Sequence, residues 1–114
     1  MPTAHFGAYD ASKFAVVAFT EVLAHENFGK GVRFTCVCPP PVRTPLLDQA
    51  VSRPKVMFEW MRPMRPERVL DEIERGLENK ELFIFPGLGT TTMWRVRRFF
   101  PGLAWAFVHR VERI

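Results

Sequence analysis

The segment VRFTCVCPP (residues 32–40) has the composition of a short buried strand that proline stops. β-branched and aromatic residues are frequent in the interval 32–38, with Gly31 before it and Pro39 after it. Apolar residues fall on both faces, as they do in a central strand of a parallel sheet covered by helices. We therefore predict a strand over residues 32–38 in an α/β protein.

A helical pattern precedes this strand at residues 8–26. Its centre, FAVVAF at 14–19, is apolar on nearly every face. Such a helix is usually buried on two sides, here by a sheet and by another subunit. Asn27 and the glycines that follow end the helix.

A loop, a helix and a second strand follow residue 38. The loop runs from Pro39 to about Pro66 and contains short helical pieces, one of which Thr44 caps ahead of Pro45. The helix covers residues 66–78, and its apolar stripe consists of Val69, Leu70, Ile73 and Leu77. The segment ELFIFP, 81–86, then predicts a short buried strand.

Two strands joined by a helix should be parallel, with a right-handed crossover. Two parallel strands cannot form a stable open sheet alone, because such a sheet needs further strands and helices on both faces. We therefore expect the C-terminal part of a doubly wound parallel-sheet domain, incomplete on its own. The division we expect is a domain part at residues 1–92 and a basic aromatic extension at 93–114.

Composition and charge exclude several classes of protein. The net charge is +4, and much of the excess lies in the tail after residue 93. Neither a signal peptide nor an apolar segment long enough to span a membrane is evident. Cys36 and Cys38 lie two residues apart on one strand, which is poor placement for a disulfide, so we expect a cytoplasmic location. The histidines are too far apart for a metal site, and we expect none.

Tyr9 and Lys13 are the candidate catalytic residues. They stand four positions apart near the start of the first helix, so they share one face. A neighbouring ammonium stabilises a phenolate, and the pair could then donate or accept a proton near neutral pH. Spacing alone favours a plainer interpretation, a solvated Tyr and Lys on a helix surface.

A second motif changes that balance. The string YDASKFAV, 9–16, resembles the active-site helix of the short-chain dehydrogenase/reductase family, whose mark is Tyr, three residues, then Lys. In that family a strand about twenty residues later ends in Pro-Gly-x-Val/Ile-x-Thr, and here VRFTCVC leads into PPPVRT, 39–44. The chain is similar to the family over about residues 4–88.

The resemblance implies an NAD- or NADP-dependent oxidoreductase with a Rossmann-like domain, which interconverts a carbonyl and an alcohol. Tyr9 would be the general acid or base, and Lys13 would assist it and bind the nicotinamide ribose; Tyr9 would also belong to the cofactor-binding residues. Val42 would contact the carboxamide through its backbone, Thr44 would bind the cofactor nearby, and Pro39 belongs to the same cofactor loop. The cofactor carries the hydride.

Two departures from the family pattern matter. Pro40 stands where the family has Gly, which removes an amide N–H and fixes φ. The family's glycine-rich phosphate loop and catalytic Ser precede the Tyr and have no counterpart here, so we expect the 114 residues alone to be inactive. We interpret Gly87 and Gly89 as a turn rather than a phosphate site.

The resemblance also places a substrate loop after Thr44. Its apolar residues suggest an apolar, lipid-like substrate; they are Leu46, Leu47, Val51, Met57, Phe58, Trp60 and Met61. We expect a homo-oligomer through the Ala8–Glu26 helix and no nucleic-acid partner.

The tail, residues 93–113, mixes Arg with Trp and Phe. We favour a flap that packs its aromatic rings on the domain, because Pro101 and Gly102 divide any amphipathic face. Peripheral membrane contact through this tail stays open. The rival function is a non-enzymatic fragment that binds a membrane surface or a protein partner through it.

Overall fold

The computed structural model describes residues 5–49 and 54–113, without the side chains of Met57 and Phe58. In chain order its elements are α1 (Gly7–Glu26), β1 (Cys36–Val37), α2 (Pro45–Asp48), a π-helical turn (Val56–Trp60), α3 (Pro66–Glu78), β2 (Phe83–Ile84), α4 (Leu88–Phe99) and α5 (Pro101–Glu112). The predicted helices at 8–26 and 66–78 are confirmed. The described residues are mostly helical with a small parallel sheet, which agrees with the coarse α/β class.

The sheet consists of β1 and β2, which pair in parallel as predicted. Cys36 lies opposite Phe83 and Val37 opposite Ile84. The N–H of Cys36 donates to the carbonyl of Leu82 at 2.8 Å, and that of Cys38 donates to Ile84 at 2.9 Å. Both strands are shorter than predicted, because a strand needs a partner, and pairing here ends within two residues.

A separate parallel bridge joins Val42 to Met64. The Arg43 N–H donates to the Met64 carbonyl and the Met64 N–H donates to the Pro41 carbonyl, both at 2.9 Å. This bridge ties the chain leaving β1 to the chain entering α3. The long loop therefore returns close to its starting point.

α3 packs on β2 through a face that differs from the predicted stripe. Val69 and Gly76 are buried and Ile73 is half-buried, whereas Leu70 is 60% exposed and Leu77 48% exposed. The small Gly76 lets the helix approach β2 closely. The spacing 69, 73, 76 therefore marks the inner face, and the leucines lie beside it.

The interpretation of Gly87 and Gly89 as a turn is wrong, because α4 begins there. Gly87 precedes the helix with φ of +84°, a conformation that favours glycine, and Gly89 lies in the first turn. The Gly87 N–H donates to the Glu72 carboxylate at 2.7 Å. That negative charge disfavours a phosphate at this helix end.

α4 and α5 contact each other and are separated at Pro101, as the Pro-Gly pair predicts. Part of their aromatic surface packs inward: Trp94 lies 5.0 Å from Phe85 and Phe107 lies 5.0 Å from Trp60, centroid to centroid. The Val56 N–H also donates to the Glu112 carboxylate at 3.0 Å. Other large side chains stay exposed by 59–70%; they are Phe99, Phe100, Leu103 and Trp105. The predicted flap therefore packs only part of its aromatic surface, and the 1–92/93–114 division stays a prediction.

The chain exposes more surface than a compact protein of its size. Its accessible surface is 8690 Å², against about 6,400 Å² expected for 13.2 kDa. α1 contributes to the excess, because no residue in it is buried. Across residues 5–49 and 54–113, no helix has the length and apolar character to cross a lipid bilayer.

Cys36 and Cys38 lie at the end of β1 as free thiols. Their sulfur atoms are 3.9 Å apart, and Cys36 is buried. Burial is the main reason that the pKa of the Cys38 thiol is raised to about 11. Electrostatic repulsion from Cys36 and the hydrogen bond between the two thiols contribute to the same rise. The Cys38 thiolate is therefore disfavoured, and reactivity should be low.

We predict that Gly76→Ala destabilises the chain by about 1–3 kcal/mol, because an added methyl group overpacks the core. A Cβ atom at this position would lie 2.5 Å from two side-chain carbons of the buried Ile84. Urea unfolding followed by circular dichroism measures the change. Gly89→Ala is the control, since nothing lies within 4 Å of its Cβ position and alanine favours helix by up to ~1 kcal/mol. Equal stability of the two variants would contradict the packing.

We predict that Cys38 makes the free energy of unfolding fall as pH rises from about 9 to about 11. The folded thiol keeps its proton at pH values where the unfolded chain loses it, so the contribution is complete below this window and lost across it. Urea unfolding at pH 8, 9, 10 and 11 measures the slope. The Cys38→Ala variant shows how much of the slope comes from other titrating groups. If its free energy of unfolding falls as steeply with pH, Cys38 is not the cause.

Candidate functional site

Tyr9 and Lys13 lie in the first two turns of α1. The ammonium nitrogen of Lys13 is 5.3 Å from the centroid of the Tyr9 ring, which places the positive charge beside the aromatic system. The predicted common face of the two side chains is thus present. The contact recorded is to the ring rather than to the hydroxyl.

The Tyr9 side chain is held at its base and open at its surface. Its ring packs edge-on against Phe6 at 5.7 Å, and its carbonyl accepts a hydrogen bond from the Ser12 hydroxyl at 2.7 Å. The residue is 51% exposed. A small molecule could therefore reach this phenol.

The three prolines after β1 determine which backbone groups the loop can offer. Pro39 is exposed, while Pro40 and Pro41 are buried. None carries an amide N–H, so Val42 has the first such donor after Cys38. The bridge to Met64 uses Pro41 and Arg43, which leaves the N–H and C=O of Val42 directed to the other side.

Thr44 is exposed and occupies the N-cap of α2 in an extended conformation, as predicted. Its hydroxyl makes no capping hydrogen bond to the helix, so it can bind another group. Beside it is an open cavity of about 470 Å³. Its lining residues are Arg43, Thr44, Pro45, Leu47, Asp48 and Pro63.

The structure does not join the two halves of the predicted site. Pro39, Val42 and Thr44 follow the carboxyl end of β1, and α1 contacts β1. In the described part of the chain, no hydrogen bond, ring contact or ion pair links Tyr9 or Lys13 to this loop. We therefore treat the cooperation of Tyr9 and Lys13 with this loop in one reactive site as a proposal.

Some of the predicted substrate-loop residues can be placed. Leu46 is 77% exposed and Trp60 62% exposed, whereas Leu47 and Met61 are half-buried. Val51 lies outside the described residues, as do the side chains of Met57 and Phe58. The loop thus presents at least two large apolar side chains to solvent.

Four arginines beside the loop escaped the sequence-based prediction. Arg43, Arg62, Arg65 and Arg68 line one cavity of about 370 Å³. The three-residue spacing of Arg62, Arg65 and Arg68 is visible in the sequence. Arg43 comes close to them only through the bridge at Met64. No group of three His, Cys, Asp or Glu residues could hold a metal ion within residues 5–49 and 54–113.

Comparison with known proteins adds a family match. The family described as short chain dehydrogenase matches residues 1–55. The chain is 36% identical over 62 residues to the short-chain dehydrogenase virB of Hypocrea virens, covering 54% of this chain and 25% of that protein. No solved structure gives a significant match.

Two other curated relatives are similar over comparable lengths. A short-chain type dehydrogenase/reductase of Picea abies is 46% identical over 56 residues, covering 49% of this chain and 21% of that protein. The 2-dehydro-3-deoxy-L-rhamnonate dehydrogenase (NAD(+)) of a Sphingomonas species is 37% identical over 69 residues, covering 60% and 26%. The matched part of the chain spans about a quarter of the length of these relatives.

Proposed function

We propose that this chain is part of a short-chain dehydrogenase, because that family matches residues 1–55, and that the whole protein is an oxidoreductase interconverting a carbonyl and an alcohol with NAD or NADP. We also propose that the strands and helices described here are part of a doubly wound, Rossmann-like sheet. The 114 residues alone are then inactive, because they hold only part of the site. The observation that carries the proposal is the Lys13 ammonium 5.3 Å from the Tyr9 ring centroid, on a helix that the family match covers.

Tyr9 is the proton donor when the carbonyl is reduced and the acceptor when the alcohol is oxidised. Its half-exposed phenol can reach a substrate oxygen, and the Lys13 charge stabilises the phenolate left after proton transfer. The nicotinamide supplies or accepts the hydride when bound. Lys13 has further donors with which to hold the ribose hydroxyls.

The loop after β1 fits a carboxamide group. Val42 presents one donor and one acceptor on the side opposite the Met64 bridge, and a carboxamide has the complementary acceptor and donor. The Thr44 hydroxyl, free of a capping bond, adds a third polar group next to it. Pro39 and Pro40 stiffen the approach without competing for hydrogen bonds.

The substrate we propose is at least partly apolar. The exposed Leu46 and Trp60 side chains support this, since neither is covered within the described residues. Trp60 is also fixed by its edge-on contact with Phe107, so this wall of the substrate region is preorganised.

The partner we propose is a second copy of the protein, which would associate through α1. Phe14, Val16, Phe19 and Val22 are each between 42% and 62% exposed, which is costly for a helix in water. A two-fold contact would cover the same face on both copies. The rival function, a non-enzymatic binder acting through its tail, is not favoured, because the family match lies at the other end of the chain.

We predict that Tyr9→Phe in the complete protein lowers kcat by about a hundred- to ten-thousandfold, because a positioned proton donor is lost. Cofactor affinity should stay close to normal, since only a hydroxyl is removed. Lys13→Ala should lower kcat and cofactor affinity together. Steady-state kinetics with a ketone or alcohol substrate and cofactor titration measure both.

Lys30→Ala is the matched control, because Lys30 is an exposed lysine beyond the end of α1. It should leave both quantities unchanged. If Tyr9→Phe keeps more than about a tenth of the original kcat, Tyr9 is not the general acid.

We predict that Phe19→Glu weakens self-association of the complete protein by about tenfold or more, because a charge would be buried in the α1 contact. Light scattering coupled to size-exclusion chromatography measures the mass across a concentration series. Phe28→Glu is the control, since Phe28 is 90% exposed and lies outside α1. A monomeric starting protein at high concentration, or equal loss in both variants, would rule out this interface.

A further inference from the structure

A cavity of about 370 Å³ beside the start of α3 has an unusually basic wall. Its lining residues are Arg43, Arg62, Pro63, Met64, Arg65 and Arg68. Four of the six carry a permanent positive charge. Such a concentration of like charge destabilises the fold unless something compensates it.

Main-chain hydrogen bonds bring these arginines together. The two bonds of the Val42–Met64 bridge place Arg43 beside the segment that carries Arg62 and Arg65. α3 begins directly afterwards, so Arg68 lies in its first turn. The convergence is therefore built by paired backbone and a helix start, not by one flexible loop.

The described residues compensate only one of the four charges. Arg68 lies 3.6 Å from the Glu72 carboxylate, which also accepts the Gly87 N–H. In residues 5–49 and 54–113, no ion pair involves Arg43, Arg62 or Arg65. Glu67 is the one acid in the first turn of α3. The cavity thus carries a net positive charge that an anion can neutralise.

We propose that this cavity binds an oxyanion, a phosphate or carboxylate group of a small molecule. Guanidinium groups bind such groups through paired, charge-assisted hydrogen bonds. Arg65 stands at the N-cap of α3. Its guanidinium is a donor only and caps none of the first helical N–H groups, whose dipoles favour an anion. The neighbouring cavity, which contains Asp48, is the less favourable place for an anion.

The site adjoins the loop to which we assigned the cofactor, because both cavities share Arg43 and Pro63. The oxyanion therefore has two candidate sources: the diphosphate of a dinucleotide or the anionic end of a substrate with an apolar body. Oxyanion binding itself does not depend on the proposed oxidoreductase activity. It can be measured on the complete protein without any turnover.

The test is calorimetric titration of the complete protein with inorganic phosphate, with ionic strength held constant by chloride. We expect saturable binding, and the double variant R62Q/R65Q should weaken it at least about tenfold, since it removes two charge-assisted hydrogen-bond donors. Arg33→Gln, at an exposed arginine outside the cavity, should change the affinity less than twofold. Both mutated side chains are exposed, and circular dichroism checks that the variants stay folded.

Competition then identifies the source. Displacement of phosphate by pyrophosphate but not octanoate supports the dinucleotide source, and the reverse supports a carboxylate substrate. No saturable phosphate binding, or equal binding by R62Q/R65Q and the Arg33→Gln control, would overturn the site. The oxidoreductase proposal would survive that result, because it is tested separately by the kinetics of the Tyr9→Phe variant.

Discussion

The parallel contacts between the chain after α1 and the chain around α3 control the arrangement of nearly everything else. β1 pairs with β2 over only two residues each, and the Val42–Met64 bridge adds a second attachment a few residues further on. Together they fix both ends of the long loop between β1 and α3. Without them, the loop would hold no fixed position relative to α3. Closing a long loop costs conformational entropy, and the local sequence contributes no free energy that offsets this cost.

The same contacts explain what could be predicted from the sequence. α1 and α3 were predictable because their signals are local: apolar periodicity, Pro66 at the first helical position and Asn27 after the last. The parallel direction of the strands followed from their connection through a helix. The strand lengths could not be predicted in this way, because each strand extends only as far as its partner strand pairs with it.

Features that depend on distant partners escaped prediction. The start of α4 is stabilised by the hydrogen bond from the Gly87 N–H to the Glu72 carboxylate, fifteen residues away, so the Gly87–Gly89 pattern alone suggested a turn. Leu70 looked like a core residue from its spacing, but the close approach permitted by Gly76 rotates the buried face toward Val69. The Tyr9–Lys13 pair is the opposite case, since one helical turn is enough to bring the two side chains together. Arg43 joined the other arginines only through a long-range backbone pair.

The exposed surface connects the fold to the proposed function. Surface of about 2,300 Å² beyond the expectation for this mass is available to the rest of the proposed sheet and to a second copy of the chain. No residue of α1 is buried, and this helix also carries Tyr9 and Lys13. Covering the apolar face of α1 would restrict the motion of that helix and so hold the catalytic pair in place, which is what a proton donor requires. The assembly that we propose for α1 and the chemistry that we propose for Tyr9 are therefore coupled: the helix needs a cover for its stability, and the phenol needs a rigid helix for its reactivity.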